Sequence, residues 1–480
     1  MSVAPPPLSP SVLSLDLDAF VTVAAAIHQG HAEARATFEC SFEAPSPNLG
    51  FMVLAGLEPL LDTLERFRPK PDEIEWLASE GAIDEAARQL LHDSRFGCDI
   101  DAAPEGSVVF SGEPVLTVEG PFWQAQLVGG LVTRALTQAT LAATQMARAA
   151  LAAGGREVIE AGASSAYGLA GGTLLARAAY IGGAGATTCA LAGRRYDVPM
   201  RAPQPTRALT ASTSDVASFE SWLRAAPAHA TLRIDGHDPR KALDQAARAI
   251  KKLHGNDRWE ELGYALEIAS GDHVEIARAA LRIFRAHGLK EPLLIASGGL
   301  DEWRIAELRR EEPRFAAFSV DSLLPNGTTR IARYDLVAME EEGRWSPRMR
   351  LGESVLSSGS PGRKKVLRYF DAEGHPLCDV LHAASERIQP AKEARFLHRV
   401  TGFTTKIAAA ASAPLHGNVM RSGKRVASAE KPSESRARAQ AAVASLRAPN
   451  ARLTRPAVYP VGTTATLATL KDKLIDEALP

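Results

Sequence analysis

Between residues 230 and 322, short β-rich runs alternate with amphipathic runs of helix length, and this alternation limits the possible folds more than any other feature of the chain. TLRID (231–235), YALEI (264–268), LLIA (293–296) and FAAFSV (315–320) read as strands. Helix patterns fill the intervals at 239–253, 273–287 and 301–310. In the second of them Ile276, Ala279, Ala280, Ile283 and Phe284 share one face, and Gly288 supplies the stop. Strand–helix–strand repeats of this length predict parallel strands joined by right-handed crossovers, so the fold class is α/β. Outside this region the pattern predicts a helix over 12–28 and a strand at ATFECSF. It also predicts a hairpin over 107–121 and a long helix over 122–153, where Gly129 and Gly130 mark a close contact or a break. A solvated helix with Ser433 as its cap is expected within 418–456.

Parallel α/β folds bind ligands at the carboxyl ends of their strands. Asp235, Gly236, His237 and Asp238 follow the first of the four runs. Ser270, Gly271 and Asp272 follow the second. Ser297, Gly298 and Gly299, with Asp301 and Glu302 opening a helix, follow the third, and Asp321 and Ser322 follow the fourth. Each residue taken alone also fits a helix cap or a turn. Together, small and acidic residues at every strand end predict a ligand rim. AGASSAYGLAGG (161–172) fits neither nucleotide-binding glycine pattern. Cys189 reads as a small buried hydrophobe rather than a nucleophile. Asp16 and Asp18 read as surface charges.

Composition narrows the function classes. With 55 basic and 56 acidic residues the formal charge is −1, without the basic excess of a dedicated nucleic-acid binder. The four cysteines lie far apart, with no CxxC, so neither a zinc site nor a disulfide framework is expected. No metal site is read from the residues. The amino terminus lacks a basic secretory n-region, and no long apolar run predicts a membrane span. A reduced, cytoplasmic protein with a small-molecule ligand, and without nucleic-acid or membrane partners, is the expectation.

Across residues 15–475 the order of segments resembles the nicotinate phosphoribosyltransferase family. Thr37, Phe38 and Glu39 match, as do Ala55 to Glu58, Pro104 to Phe110, Gly120 with Pro121, and Gln126 with Leu127. Further matches are Ala178 to Gly183, Ala190 to Gly193, Ser297 to Glu302, Arg304 to Leu308, Pro361 to Lys364, and Tyr459 to Gly462. The resemblance implies a phosphoribosyltransferase-type βα barrel with a discontinuous α/β domain built from both chain ends. The expected bounds are 1–125 for the N-terminal α/β domain, 126–340 for the barrel, and 341–480 for the segment completing the first domain. It also implies conversion of nicotinate and phosphoribosyl diphosphate to nicotinate mononucleotide in NAD salvage, with Mg2+ and ATP where the family activity is retained, in a homodimer.

The family's arginine-rich motifs are altered here. Its Gly-x-Arg-Arg-type run is Gly162, Ala163, Ser164 and Ser165. Thr206 occupies the position of its phosphorylatable histidine, and Arg201 and Arg207 flank that position. Glu267 to Asp272 replace an Arg-Leu-Asp-Ser-Gly-Asp run, and Ser319, Val320, Asp321 and Ser322 replace a phosphate loop. Asp18 replaces a tyrosine, and Glu43 replaces the arginine of a Phe-Phe-Arg strand. Each lost charge-assisted bond weakens polyanion binding by about 1.5–3 kcal/mol. Asp235 is the best candidate for a catalytic role, with His237, Ser270, Asp272, Ser297, Gly298, Gly299, Asp321, Arg201 and Arg207 as candidate substrate contacts. Three readings stay open: a divergent phosphoribosyltransferase, a catalytically degenerate dimeric scaffold or regulatory paralogue, and a barrel enzyme with a less phosphorylated substrate.

Overall fold

The computed structural model describes residues 11–166, 168–212, 214–225, 230–236, 238–254, 265–323, 331–352, 358–388, 392–398 and 402–478. His237 lies outside the described residues. The chain forms two compact units, Met1–Thr140 with Gly327–Pro480, and Leu141–Asn326. The division falls inside the helix Gly129–Ala153.

The Leu141–Asn326 unit holds a seven-stranded parallel sheet. Its strands are β1 (Glu157–Glu160), β2 (Ala186–Thr187), β3 (Ala202–Pro203), β4 (Ala230–Ile234), β5 (Ala265–Ile268), β6 (Leu293–Ala296) and β7 (Phe315–Val320). They lie in the order β2-β1-β7-β6-β5-β4-β3, and every neighbouring pair is parallel. The helices Pro239–His254, His273–Ala286 and Glu302–Glu311 connect β4 to β7 in turn. The α/β class read from the alternation therefore holds, and the sheet forms a half-barrel. At its two ends the backbone amide of Thr187 donates to the Pro199 carbonyl at 2.8 Å, and its carbonyl accepts from the Arg201 amide at 3.0 Å. Ile159, Ala265, Ile295 and Ala317 pack together on one face of the sheet.

Between the helices Gly129–Ala153 and Glu302–Glu311 lies a buried ion pair. Arg148 Nε donates to Glu302 Oε1 at 2.9 Å, with both side chains 2% exposed. Gln145 donates to the other carboxylate oxygen. Removing one partner of such a pair leaves a buried charge uncompensated, which costs about 3–5 kcal/mol.

The other unit is built around antiparallel pairing. Arg35–Phe42 lies between Pro114–Pro121 and Ala332–Glu341. The hairpin expected over 107–121 does not form. Val108–Val109 pairs with Met52–Val53, while Pro114–Pro121 pairs with Arg35–Phe42 and Asp99–Ala102. The intervening residues are held away from hairpin geometry: the Phe110 amide donates to Glu113 Oε1 at 2.7 Å, and the Gly112 amide donates to the Phe42 carbonyl at 2.7 Å. The expected long helix is two, Phe122–Leu127 and Gly129–Ala153. A Cβ at Gly129 would lie 2.8 Å from the Tyr334 ring, so the glycine answers a close approach. The helix Pro432–Ala444 is capped at Lys431, whose amide donates to Glu434 at 2.8 Å. Ser433 lies inside the first turn. The four cysteines form no disulfide. Among the described residues, no helix is long and apolar enough to cross a membrane.

Within this unit Arg368 links two buried carboxylates. It donates to Asp379 Oδ2 at 2.6 Å and to Glu113 Oε1 at 3.4 Å, and Tyr459 donates to Asp379 Oδ1 at 3.0 Å. Burial, reinforced by the Asp379 charge, raises Glu113 well above the ordinary carboxylate range. Burial is the largest single influence on Asp379 and acts in the same direction, but Arg368 together with the hydrogen bonds from Glu113 and Tyr459 outweighs it and holds that group below its usual value. Of the two carboxylates, Glu113 is therefore the one that holds a proton more readily.

Arg148→Ala is expected to lower unfolding stability by about 3–5 kcal/mol, and Arg148→Met with Glu302→Gln to recover most of the loss; denaturant titration of the three proteins measures this. For Glu113, a folded pKa above the unfolded one gives stability that is complete below the unfolded value and lost as pH rises through the folded one. As pH rises from the ordinary carboxylate range into the alkaline range, the melting temperature of the native protein should fall more steeply than that of Glu113→Gln. Equal slopes in thermal scans would contradict this assignment.

Candidate functional site

The carboxyl ends of β3 to β7 bring a set of polar side chains together. Asp235 directly follows β4. Its Oδ1 accepts from the Ser270 hydroxyl at 2.7 Å and from the Gly236 amide at 2.9 Å. Its Oδ2 accepts from the Thr206 hydroxyl at 3.2 Å and from Arg233 Nε at 3.4 Å. Ser270, ahead of Arg233 and Thr206, holds the Asp235 carboxyl below its usual range against the opposing effect of burial. Asp235 is thus an anion throughout the neutral range, and about a quarter of its side chain is exposed.

Sequence reading missed two members of this cluster, Arg233 and Glu267. They face each other across β4 and β5 in register, with Arg233 Nη1 3.4 Å from Glu267 Oε1. Glu267 is buried, and burial raises its pKa; Asp321 and Asp235 add to that shift, whereas Ser297 and Arg233 oppose it. A signal was present: TLRI and ALEI each carry one charged side chain in a strand that is otherwise apolar or uncharged. Unpaired charge is rarely tolerated at such positions.

The remaining candidates divide. The Gly299 amide approaches Asp321 Oδ2 at 3.5 Å. Gly298 has φ +87°, and a Cβ there would overlap the Ala269 carbonyl oxygen, so the turn after β6 requires glycine. Ser297 is buried, and its carbonyl oxygen lies 2.8 Å from His273 Nε2. Asp272 caps its helix, accepting from the amides of Val274 and Glu275 at 3.0 Å each. Arg201 Nη2 lies 3.3 Å from Glu157 Oε2. Because Glu157 opens β1 and Arg201 precedes β3, this pair belongs to the amino ends of the strands rather than to the cluster around Asp235. Arg207 is exposed on the short helix Thr206–Thr210 and forms no ion pair among the described residues.

At the position that the resemblance gives to the family's arginine pair, Gly162 to Ser165 make a tight turn. Ser165 Oγ donates to the Gly162 carbonyl at 2.7 Å. In the other unit Glu43 replaces the arginine of the Phe-Phe-Arg strand, and Arg333 donates to it from the neighbouring strand. The same pocket is lined by Glu39 and Lys364, a buried ion pair at 2.6 Å. At both Glu43 and Glu267, then, an arginine on the adjacent strand faces the acidic replacement. Among the described residues, no group of three or more His, Cys, Asp or Glu side chains is arranged to hold a metal ion.

These features define a mixed α/β protein with a half-barrel of parallel strands and a charged rim at their carboxyl ends. Residues 13–132 match the nicotinate phosphoribosyltransferase N-terminal domain, and residues 363–471 match the C-terminal domain of the same family. A nicotinate phosphoribosyltransferase of Mycobacterium tuberculosis is 32% identical over 354 residues, covering 73% of this chain and 74% of that one. The human nicotinate phosphoribosyltransferase is 27% identical, covering 93% of each chain. The crystal structure of human nicotinic acid phosphoribosyltransferase superposes with a TM-score of 0.78 at 24% identity, covering 96% of this chain and 99% of that one. A nicotinate-nucleotide pyrophosphorylase from Pyrococcus furiosus shares the fold at TM-score 0.68 and 19% identity, covering 90% and 95%. The chain belongs to the nicotinate phosphoribosyltransferase family.

Because Ser270 contributes most to the low pKa of Asp235, Ser270→Ala should raise that pKa. The acid limb of any ligand-induced stabilisation that needs the Asp235 anion should move to higher pH. Thermal-shift profiles across the acid range check this, and an unmoved limb would remove Ser270 from the role.

Proposed function

We propose that this protein joins nicotinate to the ribosyl carbon of phosphoribosyl diphosphate, forming nicotinate mononucleotide in NAD salvage, with slow turnover that is not coupled to ATP. Membership of the family supports the reaction. The observation that carries the departure from it is the Thr206 hydroxyl against Asp235 at 3.2 Å. A threonine at the position of the phosphorylatable histidine has no imidazole to carry a phosphoryl group, and here its hydroxyl is engaged in orienting a carboxylate.

Ribosyl transfer develops positive charge on the sugar and negative charge on the leaving diphosphate. An ionised Asp235 at the strand ends suits the first requirement, since a fixed anion stabilises an oxocarbenium-like carbon without reorganising. The second requirement is poorly served. The Gly162–Ser165 turn has no cation, and Asp321 brings a carboxylate to the position of a phosphate loop. At about 1.5–3 kcal/mol for each missing charge-assisted bond, slow turnover follows. Mg2+ enters this proposal as the counter-ion of the diphosphate substrate. The proposal takes the half-barrel as part of a complete βα barrel, for which the Thr187 backbone bonds to Pro199 and Arg201 are the support. It takes a cytoplasmic homodimer as the working unit.

A second reading, a scaffold without turnover, is favoured by the three carboxylates of Asp235, Glu267 and Asp321 at the strand ends, where among the described residues Arg233 is the one guanidinium bonded to any of them. Incubation with nicotinate, phosphoribosyl diphosphate and Mg2+, with and without ATP, separates the two. Slow formation of nicotinate mononucleotide, equal in both arms and reduced at least about tenfold (~1.4 kcal/mol) in Asp235→Asn, is the expected result. Stimulation by ATP would overturn the uncoupled reaction. Absence of product, together with no rise in melting temperature on adding phosphoribosyl diphosphate, would favour the scaffold.

A further inference from the structure

We propose that Arg233 receives the carboxylate of the acid substrate at the strand ends, and thereby sets the preference for a singly charged aromatic acid over its uncharged amide. This rests on the reading of these strand ends as the nicotinate site.

Arg233 is loosely held. Its Nε lies 3.4 Å from Asp235 Oδ2 and its Nη1 lies 3.4 Å from Glu267 Oε1. Charge-assisted hydrogen bonds of this type normally run about 2.7–2.9 Å. Nη2 makes no hydrogen bond among the described residues. Asp235 takes its shortest bond from Ser270, at 2.7 Å, and not from the guanidinium. Two carboxylates therefore fix the position of the guanidinium while leaving donor capacity unused. With its side chain 25% exposed, Arg233 is partly desolvated yet open to a ligand. A planar fork in this state suits a bidentate carboxylate, which a lysine could not match.

Charge selects among anions. Asp235 is ionised and Asp321 lies beside the Gly299 amide, while burial biases Glu267 toward its protonated form. Among the described residues, Arg233 is the one guanidinium bonded to these acids. A ligand with one negative charge adds little repulsion, whereas a diphosphate would bring several charges toward the same acids. Arg233 is thus matched to a monocarboxylate, and the polyanionic substrate must be held elsewhere.

Calorimetric titration of the full-length protein with nicotinate, nicotinamide, phosphoribosyl diphosphate and inorganic diphosphate tests this, using wild type, Arg233→Leu and Arg233→Lys. Wild type should bind nicotinate at least tenfold more tightly than nicotinamide. Arg233→Leu should abolish that preference while changing the affinity for phosphoribosyl diphosphate and diphosphate less than twofold. If the leucine variant does not fold, Arg233→Lys carries the test, with an expected fall in the preference of at least threefold. An unchanged preference, no nicotinate binding by wild type, or a larger loss for either diphosphate ligand would overturn the assignment. Binding is read without turnover, so nicotinate recognition through Arg233 with no product formed would support this assignment while refuting the proposed reaction.

Discussion

The balance of charge between β4 and β5 governs what the carboxyl ends of this half-barrel can hold. One guanidinium, Arg233, stands between an ionised aspartate and a buried glutamate. Without it, Glu267 would face Asp235 and Asp321 with no nearby cation, and a carboxylate already driven toward protonation by burial would be driven further. With it, Asp235 stays charged and correctly turned, with the Ser270 and Thr206 hydroxyls completing its hydrogen bonds. The rim is polar and rich in carboxylates, and Arg233 is the guanidinium that bridges two of them.

The same device recurs in the other unit. Glu43 stands where a family arginine is expected, and Arg333 reaches it from the neighbouring strand. Two acid-for-arginine replacements, each answered across a strand pair, describe cations moved sideways rather than simply deleted. Among the described residues, the Gly162–Ser165 turn has no such ion pair.

Much of the α/β architecture was legible in the chain. The four runs between 230 and 320 became β4 to β7 with small shifts in their ends, because apolar periodicity and turn residues act over a few positions. Residues following those strands were recognisable as a rim for the same reason. The hairpin over 107–121 failed because partners distant in sequence, Met52–Val53 and Arg35–Phe42, captured its two arms. Asp272, read as a ligand contact, is occupied as a helix cap, a use that its position before a helix equally allowed. Arg201, read as a compensating cation, pairs with Glu157 at the other end of the strands.

Local pattern alone therefore carried the class of fold and the gathering of small and acidic residues, Asp235 among them, at the carboxyl ends of the strands. It did not carry the charge of that end. Arg233 and Glu267 are 34 residues apart and meet because β4 and β5 pair in one particular register. A shift of one residue between the two strands would put their side chains on opposite faces. Electrostatic free energy depends on distance through space and on burial, and neither quantity exists for a side chain until the strands have found their partners.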